Sequence, residues 1–332
     1  VRFFVVVLVA LAAHVGAQEY RAELLPMPAA VDVRVVAAEG DLVVGLNSNQ
    51  WFGAVWRRER EFAIVPGRQL ALFATDGFRV GGWNRLGLAT IWELDPVREI
   101  VIHPPGYERW FGWVEDMQGD YQVGMLDDVG SSRAVVWRGK AETAQVLLPA
   151  GYLDSAAITI DGGNVYGTLR RRVGQDYQAY PCVWRDYGAS VEVYGWFGAG
   201  EFVHRSRRGV QVGWRMDRRN QWQPFLWRGW PLGAVDLTPP GVYRGEALST
   251  NGEVQVGYVI RRPPFPPVPT EGIAKAALWK GTRASYVDLH RLLPPFFDSS
   301  QATAVTADGT VYGTARTAPV FDPVPVIWRK VQ

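Results

Sequence analysis

The stretch SAAITIDGGNVYGTL, residues 155–169, reads as a β-hairpin: a strand from Ser155 to Ile160, a turn at Asp161-Gly162-Gly163, and a returning strand from Asn164 to Leu169. Glycine and Asp or Asn supply the positive-φ positions that a tight hairpin needs. Beyond it an apolar run through Cys182 and Val183 ends in Trp184. The same succession, a Val-x-Gly type of strand and then an apolar strand closing on Trp, recurs seven times. Its glycines are Gly45, Gly81, Gly124, Gly167, Gly213, Gly257 and Gly313; its tryptophans are Trp56, Trp92, Trp137, Trp184, Trp227, Trp279 and Trp328. Successive glycines lie 36, 43, 43, 46, 44 and 56 residues apart. Self-similarity of that period marks a solenoid, a propeller or an array.

Each unit adds a fourth segment after its Trp strand, such as Thr143 to Leu148, and so predicts four antiparallel strands. Runs such as Ala134-Val135-Val136-Trp137 are apolar on both faces of the sheet, which therefore has to be covered on both sides; radial stacking of blades does this. The expected fold is all-β, a seven-bladed β-propeller. The seventh unit stops after its Trp strand, while Glu23-Leu24-Leu25-Pro26 resembles the fourth-strand run Val146-Leu147-Leu148-Pro149. An N-terminal strand is thus expected to complete the last blade and remove the open edge.

Residues 1–17 read as a secretory signal, with Arg2 before an apolar run from Phe3 to Ala13 and small residues at Val15-Gly16-Ala17. Residues 18–332 then form one propeller domain, secreted or periplasmic, with no membrane anchor and expected as a monomer. The 332 residues carry 35 Lys plus Arg against 33 Asp plus Glu, a balance that gives no footprint for nucleic acid. The single Cys182 stands where other units place Ala, Val, Thr or Phe and is assigned to packing.

The units resemble the HAF family of bacterial extracellular repeats. The matches are Ala302 to Thr306 with Val311-Tyr312-Gly313, Ala157 to Ile160 with Val165-Tyr166-Gly167, and the Ala/Pro-rich run before each Trp. The family's His is absent four residues before each Trp. The resemblance implies export and a propeller-like fold, and no established reaction.

His103, His204 and His290 fall in three different units without ligand-like spacing, and no nucleophile elbow, zinc-protease or phosphate-loop motif occurs. No catalytic residue, metal or cofactor is nominated. Binding is better supported, because the loops from fourth to next first strand and from second to third gather on one propeller face. The first set carries Tyr107, Trp110, Tyr152, Trp196, Tyr243 and Phe297; the second carries Arg171, Arg219 and Arg262. Aromatic faces stack on sugars and guanidinium forks pair with carboxylate or sulfate. The expectation is an exported, non-catalytic binding propeller for a glycan or an extracellular protein or peptide. The alternative is a secreted polysaccharide-acting hydrolase or lyase.

Overall fold

The computed structural model describes residues 19–28, 32–47, 49, 51–66, 69–194, 201–230, 232–261, 273–317 and 322–331. Seven four-stranded antiparallel sheets follow one another along the chain, and the chain is a seven-bladed β-propeller. In blade four the strands run Asp154–Asp161, Asn164–Val173, Asp176–Arg185 and Ser190–Val193, innermost to outermost. Outer strands are the weakest members: in blades three, five and six they shrink to Gln145–Val146, Val235–Asp236 and Val287–Asp288. A cavity of about 320 Å³ touches the first hairpin turn of all seven blades, from Glu39 in blade one to Ala307 in blade seven. The blades therefore surround a common axis. The signal-like residues 1–17 lie outside the described residues.

Closure follows the sequence expectation. Tyr20–Leu24 pairs antiparallel with Pro323–Lys330, Glu23 standing opposite Ile327, so that the last blade is built from both ends of the described chain. The seam is fastened again where Glu59, at the turn between the third and fourth strands of blade one, accepts hydrogen bonds from the Tyr312 hydroxyl and the Arg329 guanidinium of blade seven.

The seven repeat tryptophans are all buried between blades, as is Cys182, whose thiol is pushed up by that burial. The repeat glycines have a different task. In every blade the innermost strand carries a register shift at an equivalent place, where the residue skipped in the pairing is Val36, Phe73, Glu115, Ile158, His204, Leu248 or Thr303; blade six has a second shift between Val242 and Arg244. The residue before each bulge pairs with the repeat glycine, as Val203 pairs with Gly213. In six blades a Cβ on that glycine would stand 1.7–2.0 Å from the carbonyl oxygen of the innermost strand. Only a residue without a side chain lets the two strands approach there. In blade two the glycine in this place is Gly82, which pairs with Leu72, and not Gly81. The repeat mark read from sequence was thus one residue off in that unit, since Gly81-Gly82 offers two glycines and only register separates them.

The glycine, in short, licenses a bulge that re-aims one side chain per blade. Gly213→Ala is expected to lower stability by ~1–3 kcal/mol or more, since the obstacle is backbone. A chemical denaturation curve with an unchanged midpoint would refute this account of the repeat.

Candidate functional site

The innermost strands start at the face where the second-to-third-strand loops also lie, and end at the face bearing the first hairpin turns. Aligned on the bulge, each begins with the same four positions. The second position, Val35, Leu72, Val114, Ala157, Val203, Ala247 or Ala302, is apolar and buried everywhere. It packs blade against blade. The other three positions disagree between blades, and polar chemistry gathers in three of them: Trp113-Val114-Glu115-Asp116 in blade three, Phe202-Val203-His204-Arg205 in blade five, and Glu246-Ala247-Leu248-Ser249 in blade six, where Arg244 stands two residues ahead of Glu246.

Asp116 is fully buried, and its carboxylate accepts from the Thr159 hydroxyl at 2.6 Å and the Ile160 amide at 3.1 Å of blade four. From blade five Arg205 pairs with it, and Arg207 reaches it at 3.1 Å. Burial pushes the Asp116 carboxyl up, but the two guanidinium charges and their hydrogen bonds overcome this and hold it down at about 2. The space beside Arg205 and Arg207 along the axis is only about 10 Å³. An ion cluster therefore narrows the axis, with the 320 Å³ cavity on the hairpin-turn side of it.

Toward the loop face, beyond the ion cluster, the innermost strands carry further polar groups. The imidazole of His204 meets Glu246 at 2.8 Å, and the Tyr258 hydroxyl donates to the same carboxylate at 2.6 Å. A carboxylate only accepts, so His204 Nε2 is the donor of this bond. Burial raises Glu246, yet the His204 hydrogen bond and charge, with Tyr258 and Arg244, bring it below the usual carboxylate range. Glu115 receives the Trp113 indole N–H at 2.7 Å. For this carboxyl burial wins, and it is raised despite Trp113 and the nearby Arg205 and His204. The two carboxyl groups, Glu115 in blade three and Glu246 in blade six, are thus pushed in opposite directions.

Aromatic rings extend this floor to both sides. Trp51, Trp83, Phe111 and Trp113 form a chain with ring centroids 5.3, 5.1 and 5.6 Å apart, crossing blades one to three. On the other side Phe202 lies 5.1 Å from His204, stacks on Trp214 at 6.0 Å, and Trp214 contacts Trp222 at 5.8 Å. Arg244 lies 5.8 Å over the Trp222 ring, with its Nε buried and lacking a hydrogen-bond partner. Trp51, Phe111 and Trp222 are 42%, 40% and 39% exposed, so the rings are available to a ligand and are not simply core.

The residues picked from loops alone are placed differently. Phe297 is buried between blades six and seven, and its exposed neighbour is Phe296. Tyr107 and Trp110 pack edge to face on the core between blades two and three, Trp110 lying under Arg133. Arg171 is brought to Tyr152, which it faces together with Tyr180, at 5.9 and 4.5 Å. Arg219 is exposed at a hairpin tip in blade five, where its amide donates to Asp217. Tyr243 is half-buried and its carbonyl accepts from Gln223. Trp196 and Arg262 lie outside the described residues. The loop reasoning missed these innermost-strand groups because it weighed loops and set aside the strands. A signal was present: Glu115 and His204 are the titratable members of a column that is otherwise Val36, Phe73, Ile158, Leu248 and Thr303.

No family model matches this chain, and no curated protein sequence matches it. Solved structures do. The oligogalacturonate lyase of Vibrio parahaemolyticus aligns at 12% identity over 94% of both chains with a TM-score of 0.55. The β-propeller domain of the trilobed protease of Pyrococcus furiosus aligns at 10% identity over 90% of this chain and 96% of that one, TM-score 0.59. A puromycin hydrolase aligns at 11% identity and TM-score 0.58 over 87% of this chain, which spans 50% of that protein's length. These likenesses establish the fold.

Proposed function

We propose that this propeller binds a saccharide chain at the loop-face ends of its innermost strands. The observation that carries the reading is the series of seven rings, from Trp51 to Trp113 and from Phe202 to Trp222, converging on a polar floor of Glu115, His204 and Glu246. Rings set about 5 to 6 Å apart suit successive sugar faces, and the carboxylates, imidazole and phenol beneath suit hydroxyl groups. Arg244 adds a cation over the Trp222 ring, which favours a sugar bearing a carboxylate. One protein sharing the fold is named an oligogalacturonate lyase, which agrees with a saccharide reading. The signal-like residues 1–17 would deliver such a site to where polysaccharides occur.

Titration calorimetry against acidic and neutral oligosaccharides tests the reading. Trp83→Ala and Trp214→Ala should each weaken binding about tenfold or more, equivalent to ~1.4 kcal/mol. Tyr152→Ala and Arg219→Ala, on the rim, should leave it within about twofold, equivalent to ~0.4 kcal/mol. The opposite ranking would move the ligand from the innermost strands to the rim.

A second reading, a polysaccharide-acting enzyme, is favoured by one observation: the His204 imidazole and the Glu246 carboxylate are paired at 2.8 Å.

A further inference from the structure

We propose that the blade-three end of the aromatic row carries a subsite for a neutral sugar unit, with Phe111 as its stacking platform and Asp127, Ser132 and Arg170 as its hydroxyl-binding groups. The inference rests on the saccharide reading above and names the kind of sugar that this end selects.

Strand register builds the subsite. Phe111 opens the innermost strand Phe111–Gln118 and stands opposite Asp127 on the second strand, Tyr121–Asp128; Asp127 in turn stands opposite Ser132 on the third, Ser131–Trp137. Residues directly opposite each other in a ladder share one face of the sheet, so a ring, a carboxylate and a hydroxyl lie in one row. The Ser132 hydroxyl donates to Asp127 Oδ1 at 2.8 Å. Blade four adds the last member. One oxygen of Asp154 accepts from the Ser132 amide at 2.9 Å and the other from Arg170 Nε at 2.6 Å, which ties the guanidinium to the row.

All four residues border one open pocket of about 440 Å³, together with Arg109 and Asp128. That size falls in the ~300–1,000 Å³ range of small-ligand sites. Its members have capacity left for a ligand. Phe111 is 40% exposed and is braced by Trp83 and Trp113. Asp127 Oδ2 and the two terminal nitrogens of Arg170 form no hydrogen bond among the described residues. The second and third strands are joined by Val129-Gly130 alone, with Gly130 at φ 82°, so Asp127 sits on the ladder and not on a long loop. Groups carried on strands are held more precisely than groups on loops.

Charge decides the class of sugar. Two arginines and two aspartates line the pocket, and Asp154, paired with Arg170, adds a further carboxylate. No surplus of positive charge remains to draw in a uronate or a sulfate, and Asp127 beside the ring repels one. Sugar hydroxyls both donate and accept, which matches a carboxylate and a guanidinium side by side, while the ring takes the C–H face. Arg244, over Trp222, suits an acidic unit. The two ends of the aromatic series therefore ask for different sugars, as in a glycan that contains both.

The test is calorimetry of the intact chain against cellohexaose, xylohexaose and mannohexaose as neutral probes and hexagalacturonate as the acidic one. At least one neutral hexaose is expected to bind, and Asp127→Ala and Asp127→Asn should each weaken it about fivefold or more. Asp127→Asn keeps the shape of the side chain, and thermal unfolding of both variants should match the intact chain. Hexagalacturonate binding should be unchanged or tighter in Asp127→Ala, because a negative charge has gone. Binding that falls in Trp83→Ala or Trp214→Ala but stays within about twofold in both Asp127 variants overturns the subsite and leaves the saccharide reading standing. Binding of hexagalacturonate alone overturns the neutral selection in the same way. Failure of all four hexaoses to bind overturns the saccharide reading itself.

Discussion

A chain lacking residues 19–28 is expected to lose its cooperative thermal transition by circular dichroism, whereas the intact chain keeps one. The segment pairs five residues with Pro323–Lys330 and buries Tyr20 and Leu25. Hydrogen bonds continue past the paired residues, from the Leu25 amide to Pro325 at 3.1 Å, from the Trp56 indole to Pro26 at 2.6 Å, and from the Val331 amide to Glu19 at 2.8 Å. Two buried side chains contribute ~1.5–3 kcal/mol each and the hydrogen bonds ~0.5–1.5 each. Their loss is on the order of the whole stability of a domain, ~5–15 kcal/mol. It also bares the edge of the strand that carries Val326, Ile327 and Trp328, all buried in the closed ring. A synthetic peptide of residues 19–28 should restore the transition by adding itself to that edge. A truncated chain melting at the temperature of the intact one would show that the seam is held elsewhere, for instance by Glu59 with Tyr312 and Arg329.

That closing strand illustrates why so much of the fold was legible. A blade is specified by local signals, the turn glycines, the apolar run and its Trp, and each is repeated seven times, so an error in one unit is corrected by the others. The missing outer strand of the last unit and the spare strand run at Glu23 could be matched by inspection. The site was less legible, because it is built from the positions that break the repeat and from contacts between blades. His204 and Glu246 are 42 residues apart, and Arg205 and Asp116 are 89 apart. Nothing in local spacing joins them; only the ring does. Phe297 shows the converse, an aromatic in a loop whose neighbour Phe296 looks equivalent in sequence, while the backbone turns one inward and the other out. The bulge is the hidden link, since it decides that Glu115 and His204 are the skipped residues, and its only mark in the sequence is the glycine on the partner strand.

The ion cluster beneath the site yields the other large effect. Asp116→Ala is expected to destabilise the protein by ~3–5 kcal/mol, read as a lower denaturant midpoint, because it leaves Arg205 charged and largely buried without its counter-ion and Arg207 with only the more distant Glu39. The penalty comes from the cations left under-compensated, so replacing the set together, Asp116→Leu with Arg205→Met and Arg207→Leu, should recover most of the loss. Asp116 is also the group through which acid acts. Its folded value of about 2 lies below the ~3.9 of an unfolded aspartate. Its contribution is therefore fully present above about pH 4 and is lost as pH falls toward 2. In the triple variant that part of the acid dependence should vanish, while the wild-type chain retains it. The single and triple variants together separate two roles, for Arg205 also lies close enough to Glu115 to oppose the raising of its carboxyl. A triple variant as stable as wild type but altered in its saccharide binding would make the ion cluster a part of the site's electrostatics. An Asp116→Ala chain as stable as wild type would mean that the ring is held by its blade interfaces alone.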